Sequence, residues 1–355
     1  MTHVDGDHGR RAESGRRTTI NDVARRANVS IATVSKVVNG RSGVGDDTRT
    51  RVEEAAENLG YLSVIERASS LRSAGEGTIE MLVEPGDVSN PYLSMLLGGA
   101  LETAGILNTG LLMRPIASIA DTPRADWAQS LVRAGRIGVI EVTSRYSAQR
   151  ERALRAVGLP MILIDPIDQP RPSTPSIGAT NWAGAYEATN HLLALGHRKI
   201  AYIGGPPGAN CDVIRAHGWA AAMSDAGISV DLGAVPRGAY SYEHGCRSTE
   251  ILLADKVPPT AIFAGSDISA MGVLEAARRA GLSVPVDLSV IGFDDTYLAH
   301  TATPPLTTVH QPIADIGRTA VSSIMRLAAG DSLAAKRVEL ATYLVERAST
   351  APPSR

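Results

Sequence analysis

The 355-residue sequence predicts an α/β protein in which a small all-helical head precedes a long region of parallel βαβ units. Three observations predict this. From Thr78 onward, short apolar runs recur at IEMLV (79–83), IGVIEV (137–142), MILID (161–165), KIAYIG (199–204), TAIFAG (260–265) and SVIGFD (289–294), the pattern of strands buried on both faces. Helical stretches such as 93–105, 183–195, 213–226 and 269–281 separate them, which implies parallel strands with helices covering both sides of a sheet. Ahead of all this, Ile20, Val23, Ala24 and Ala27 fall at i, i+3, i+4 and i+7, one apolar stripe of a short helix.

The head follows from that stripe. Asn28-Val29-Ser30 breaks the period, and Ser30 is a good N-cap for a second helix. In that helix Val34, Val37 and Val38 share a face; at about 100° per residue, Ala32, Ser35, Lys36 and Asn39 point the other way. Taken alone, the two helices also fit a generic amphipathic pair. Residues 40–45 form a loop, and a third stripe at Val52, Ala55, Ala56 and Leu59 follows, stopped by Gly60. Three complementary faces can bury a small core, leaving the second helix free to enter a major groove as a helix-turn-helix does.

Composition narrows the function. Hydrophobic residues make up 44% and aromatics only 4%, so the cores must be aliphatic. No apolar run approaches the roughly 18 residues of a membrane span, and the first 17 residues lack the apolar core of a signal peptide. Cys211 and Cys246 have no metal spacing, so the reading is a cytoplasmic protein without metal or cofactor. Net charge is −2; residues 1–72 hold 12 Lys and Arg against 10 Asp and Glu, which permits a DNA-binding head without proving one. Gly204-Gly205-Pro206-Pro207-Gly208 lacks the lysine and hydroxyl of a phosphate cradle. The eight histidines have no catalytic context, and His191 and His197 fit surface or capping roles at a helix end. No nucleophile has an evident base, so an enzyme is disfavoured.

Polar residues do stand where ligands of open α/β sheets bind, beyond the carboxyl ends of strands: Asp165 after MILI, Ser266-Asp267 after IFAG and Asp294 after VIGF, with Arg215 following the 204–208 loop. Carboxylates accepting from hydroxyls, beside an arginine that donates, can hold a sugar or polyol. Asp267 also fits a helix cap, and Asp295 a loop anchor. Glu80 and Glu84, in and after the first apolar run, have no evident sequence-level role.

INDVARRANVSIATVSKVVNG with TRTRVEEAAENLGY resembles the head of the LacI family of bacterial repressors, and the likeness continues through NPY (90–92), NHLLALGHRKIAYIGGP (190–206), PPTAIFAGSDISAMGV (258–273), DLSVIGFDDT (287–296) and PPLTTVHQP (304–312). The resemblance implies a tail at 1–17, a DNA-binding head at 18–62, a hinge at 63–76, an effector and dimerisation domain at 77–349 and a tail at 350–355. It divides the effector domain into two doubly wound subdomains, with crossovers near 165–180, 305–312 and 335–342. For DNA it implies Lys36 at a base edge, Ile31 and Ala32 against thymine methyl groups, and Thr33, Ser35 and Asn39 on phosphates. Leu71 becomes the minor-groove wedge of the hinge, although Ser63-Val64 replaces the usual Pro-Asn and the segment is one residue longer. For the effector it implies Asp165, Arg215, Ser266, Asp294 and Gln311, with Tyr240 packing on the ligand and Tyr92 at the opposing mouth. The partners expected are near-palindromic double-stranded operator DNA, a mono- or oligosaccharide and a second copy of the chain, the C-terminus having no leucine heptad for a tetramer. A transport solute-binding protein and a sugar- or nucleotide-handling enzyme are the competing classes; the head and the lack of a signal peptide oppose the first, the lack of a catalytic constellation the second.

Overall fold

The computed structural model describes residues 20–38, 43–59, 61 and 77–354, without the side chains of Ser35, Val38, Pro85 and Asp87. They fall into two compact units. The first holds α1 (Ile20–Ala27), α2 (Ile31–Val38) and α3 (Asp46–Asn58). Val23, Ala24, Ala27, Val34, Val37, Val52 and Ala55 form its buried core, with Leu59 and Tyr61 packed at the edge. The α1–α2 turn passes through Asn28 at φ +53°, a left-handed conformation that asparagine tolerates. Ser30 Oγ then accepts from the Thr33 amide at 3.1 Å and closes the start of α2.

The second unit contains two sheets. The first joins β1 (Thr78–Val83), β2 (Gly110–Pro115), β3 (Arg136–Val142), β4 (Met161–Ile164), β5 (Ser176–Ala179) and β10 (Arg337–Leu340) in the order β10-β5-β4-β3-β1-β2, all parallel. The second joins β6 (Ile200–Ile203), β7 (Ala261–Ala264), β8 (Ser289–Asp294), β9 (Thr307–His310) and β11 (Tyr343–Val345) in the order β11-β9-β8-β7-β6, parallel except for β11. Helices α4 (Pro91–Ile106), α5 (Arg124–Arg133), α6 (Ala148–Ala156) and α12 (Ile313–Ala328) accompany the first sheet. Helices α7 (Asn181–Ala194), α8 (Asn210–Asp225), α9 (Tyr242–Leu253), α10 (Asp267–Arg279) and α11 (Tyr297–Thr301) accompany the second. The chain therefore passes between lobes three times: from β5 to α7, from β9 to α12 and from β10 to β11.

Helices α4 and α10 start two residues before their apolar periodicity because polar caps open them. Asn90 Oδ1 accepts from the Tyr92 amide at 3.0 Å, with Pro91 in the first turn, and Ser266 Oγ accepts from the Ser269 amide. The half-exposed β2 and β10 carry only short apolar stretches, three residues (Leu111 to Met113) in β2, and each sits at a sheet edge. The two unexplained acids separate here. Glu80, fully buried in β1, pairs with Arg114 Nε at 2.8 Å and Arg136 Nε at 2.9 Å from the strands on either side. Glu84 lies past the end of β1 and is taken up below.

His197 corrects the expectation of a surface or capping histidine. Its ring is buried, with Nδ1 2.8 Å from Thr260 Oγ1 and Nε2 3.0 Å from Ser289 Oγ and 2.9 Å from the Ala351 carbonyl. Burial pushes its pKa down, so it serves as a neutral clasp for the C-terminal segment. Among the described residues, no helix is long and apolar enough to cross a membrane.

Helices α4 and α12 approach through reciprocal glycines. A Cβ on Gly99 would stand 1.9 Å from the Ala314 carbonyl oxygen, and one on Gly317 2.2 Å from that of Leu96. Gly99→Val must push two backbones apart, at roughly 1–3 kcal/mol. Thermal denaturation is expected to show a midpoint several degrees lower, with the far-ultraviolet spectrum of the folded state preserved.

Candidate functional site

The carboxyl ends of the two sheets face one cleft of about 420 Å³. From the first lobe Glu84, Tyr92 and Asp165 line it; from the second come Cys211, Arg215, Tyr240, Ser266 and Asp294. Parallel strands end in carbonyl-rich loops that admit polar side chains, which is why binding groups collect at this edge. The backbone there is strained: Thr143, Asp165 and Asp294 have φ of +44°, +42° and +115° at the ends of β3, β4 and β8.

Arg215, in the second turn of α8, is the hub of the second lobe's wall. Its Nε donates to Asn181 Oδ1 at 2.7 Å and Nη1 to the Gly265 carbonyl at 2.6 Å, while Asp294 Oδ1 stands 3.8 Å away. The guanidinium lies 3.7 Å over the Phe293 ring. Asp294 in turn accepts from Gln311 Nε2 at 2.6 Å. Burial pushes the Asp294 carboxyl up to about 6; Arg215 and the Gln311 amide pull against that, and Asp165 adds to it. Burial likewise raises Asp165, opposed by the hydroxyl of Tyr92 and by Arg215. Tyr92, pushed well above its ordinary range by burial and by Asp165, keeps its proton and donates it to that carboxylate. Burial pushes the Cys211 thiol up to about 11, so it is a poor nucleophile.

The structure brings Tyr92, Asp165, Arg215, Tyr240, Ser266 and Asp294 together on the cleft wall. Gln311 stands behind, buried against Asp294 rather than on the wall, and its Oε1 has no partner among the described residues. Ser266 meets the cleft while its hydroxyl is engaged in capping α10. Tyr240 lies across Gly205, where an added Cβ would come within 2.2 Å of the ring. Asp267 is no helix cap: its oxygens accept from Thr296 N at 2.6 Å, Thr296 Oγ1 at 2.9 Å and Thr308 Oγ1 at 2.6 Å. Asp295 anchors its loop to Arg347 and His310. In the head, Ile31, Ala32 and Lys36 are exposed, and Thr33 is half-buried with its hydroxyl 2.9 Å from that of Ser30. Asn39, Leu71 and the hinge lie outside the described residues.

Three residues important to this geometry escaped sequence reasoning. Asn181 orients Arg215 and donates to the Ala179 carbonyl at 3.0 Å. Asp212, fully buried, accepts from Tyr202 Oη at 2.8 Å and the Gly205 amide at 2.6 Å, pairs with Arg237, and so shapes the loop beneath Tyr240. Glu84 was noticed only as an oddity; its place after a strand end was the signal.

A family model described as bacterial regulatory proteins, lacI family, matches residues 19–63, and one for a periplasmic binding protein-like domain matches 189–350. The HTH-type transcriptional regulator DegA of Bacillus subtilis is 35% identical over 95% of this chain and 99% of its own length. The chain belongs to the lacI family. Among solved structures, a complex of the transcriptional regulator CelR with cellobiose is similar at a TM-score of 0.69 and 27% identity, covering 94% of this chain and all of that one. A lac repressor dimer bound to operator and an anti-inducer gives 0.66 and 26%, covering 95% and 100%. This lacI-family protein is accordingly a DNA-binding transcriptional regulator with an effector domain, and not an enzyme; the head and the α/β domain expected from the sequence are both present.

The raised pKa of Asp294 has a consequence for stability. A carboxyl whose folded pKa exceeds the ordinary value of about 4 holds its proton more tightly when folded, so ionising it destabilises the fold. That penalty is absent below about pH 4 and grows through the window up to about 6. Denaturant titrations of the ligand-free protein are expected to show wild type losing up to about 3 kcal/mol relative to Asp294→Asn between pH 4 and 6. A constant difference across that range contradicts the shift.

Proposed function

We propose that this regulator is a repressor that acts in the cytoplasm as a homodimer, reads a near-palindromic operator with two heads, and changes operator affinity when a sugar occupies the cleft. The observation that carries this reading is the joint presence, on one chain, of an exposed α2 and a cleft lined by Asp165, Arg215 and Asp294. One head offers too few contacts for tight specific binding, and two-fold pairing matches two half-sites. Exposed Leu101 and Ile106 on α4, Met113 on β2 and Ile251 on α9 supply apolar surface for the second copy. The lac repressor dimer on operator and the cellobiose-bound CelR support the pairing of these two partners.

On DNA, Lys36 meets a guanine edge, Ile31 and Ala32 meet thymine methyl groups, and Thr33, Ser35 and Asn39 position the head on phosphates. Leu71 is the proposed wedge. In the cleft, Asp294 and Asp165 accept from hydroxyls, Arg215 donates, Tyr240 covers the ring and Tyr92 closes the facing side. Effector binding alters how the lobes sit and orders or releases the 63–76 hinge, a coupling of typically about 1–3 kcal/mol.

Lys36→Ala is expected to cost roughly 1–3 kcal/mol at the preferred operator and to relax preference at one base pair. Gel-shift titration on single-substituted operators checks this; a loss equal on all sequences would make Lys36 a phosphate contact.

Asp294→Asn is expected to weaken the effector about tenfold or more, because a charged acceptor becomes neutral. Wild-type affinity should fall as pH drops through about 6 and the carboxyl protonates, more steeply than that of the variant, in which Asp165 alone still titrates. For an inducer, the variant stays on operator at concentrations that release wild type; for a corepressor, it fails to bind there. Calorimetry with unchanged affinity in both Asp294→Asn and Arg215→Ala sinks the cleft assignment.

A further inference from the structure

The cleft wall is unbalanced in charge, and the imbalance identifies a class of ligand. Among the described residues lining it, Glu84, Asp165 and Asp294 are acids and Arg215 is the sole base. The donors Nε and Nη1 of Arg215 are already committed to Asn181 and Gly265, and its charge faces Asp294. Asp165 accepts the Tyr92 hydroxyl and Asp294 the Gln311 amide. Glu84 alone among the three has no hydrogen bond or ion pair with any described residue, although it is half-buried. Four residues earlier, within β1, Glu80 shows how this protein treats a structural acid: two arginines hold it. A carboxylate left open at the end of β1, facing a cleft, is instead available to a ligand.

A phosphorylated or carboxylated sugar entering this cleft meets three acids and a single base whose charge already faces Asp294, so like-charge repulsion works against it. A neutral sugar satisfies Asp165, Arg215 and Asp294 through hydroxyls yet leaves Glu84 without a counter-charge. An ammonium group answers it, and also favours the ionised forms of Asp165 and Asp294 that burial disfavours. We propose that the effector is an amino-bearing sugar or cyclitol whose ammonium pairs with Glu84, with Glu84 the residue that rejects phosphorylated ligands. The inference rests on the cleft being the effector site and names the ligand class for it.

The test is calorimetry of the full chain with matched sets: glucosamine, glucose and glucose 6-phosphate; galactosamine, galactose and galactose 6-phosphate; and the glucosamine disaccharide against cellobiose. In at least one set the amino member is expected to bind ten times tighter or more than its neutral parent, with no binding by a phosphate. Glu84→Gln is expected to shrink that advantage to about threefold or less, and Glu84→Asp to retain part of it. A neutral parent binding as well as its amino partner, a phosphate binding, or a preference untouched in Glu84→Gln overturns the assignment. If neutral sugars bind, weaken in Asp294→Asn and outdo the amino sugars, the cleft reading stands and the role of Glu84 falls. If no member of any set binds, the sugar reading of the cleft falls and this inference with it.

Discussion

The burial of one guanidinium constrains the whole of the second unit's cleft. Arg215 is almost completely withdrawn from solvent, and an arginine cannot shed its charge to escape the desolvation cost. It must be surrounded by acceptors: the side chain of Asn181 from α7, the Gly265 carbonyl after β7 and the carboxylate of Asp294 at the end of β8. Phe293 closes one face of it. Three segments that are distant in sequence are thereby held at one point, and Asp294 keeps a charge beside it that burial alone would discourage.

The same network reaches the segments that join the lobes. Asn181 opens α7 directly after the first crossing, and Gln311, which donates to Asp294, lies on the second. The first and third crossings are tied to each other: Thr342 donates its amide to Thr180 Oγ1 at 2.9 Å and its hydroxyl to the Thr180 carbonyl at 3.1 Å. A ligand that takes up the acceptor capacity of Asp294 competes with Gln311 for it, and so acts on a crossing segment as well as on the cleft wall. Conformational coupling needs such a difference in interaction between states, and a shared carboxylate supplies one.

Local rules made much of the fold legible. The head could be read because each of its helices spends its few apolar side chains on one stripe, and Val23, Val34 and Val52 are indeed fully buried together. Strands β1, β3, β4, β6, β7 and β8 could be read from continuous apolar runs; the interior β5 and β9 were missed, being short and built largely of small or hydroxyl-bearing residues. The edge strands β2 and β10 could not be read either, since half-exposed strands mix polar and apolar residues without a clear period. Glu80 looked misplaced in β1 for the converse reason: its arginines lie 34 and 56 residues further on, and only the strand order makes them its neighbours.

By itself, then, the sequence determined the architecture, the family and the strand-end positions where ligand groups collect, because these depend on periodicity, capping and short motifs. Tertiary structure decided what each polar group does. It made Ser266 a cap as well as a wall residue, turned Asp267 into a buried anchor and His197 into a clasp, set Gln311 behind Asp294, and left Glu84 open while closing Glu80 between two arginines. The physical reason is the same in every case. Whether a polar side chain is spent on the fold or left for a ligand depends on which partners come within about 3 Å of it, and those partners come from elements far along the chain.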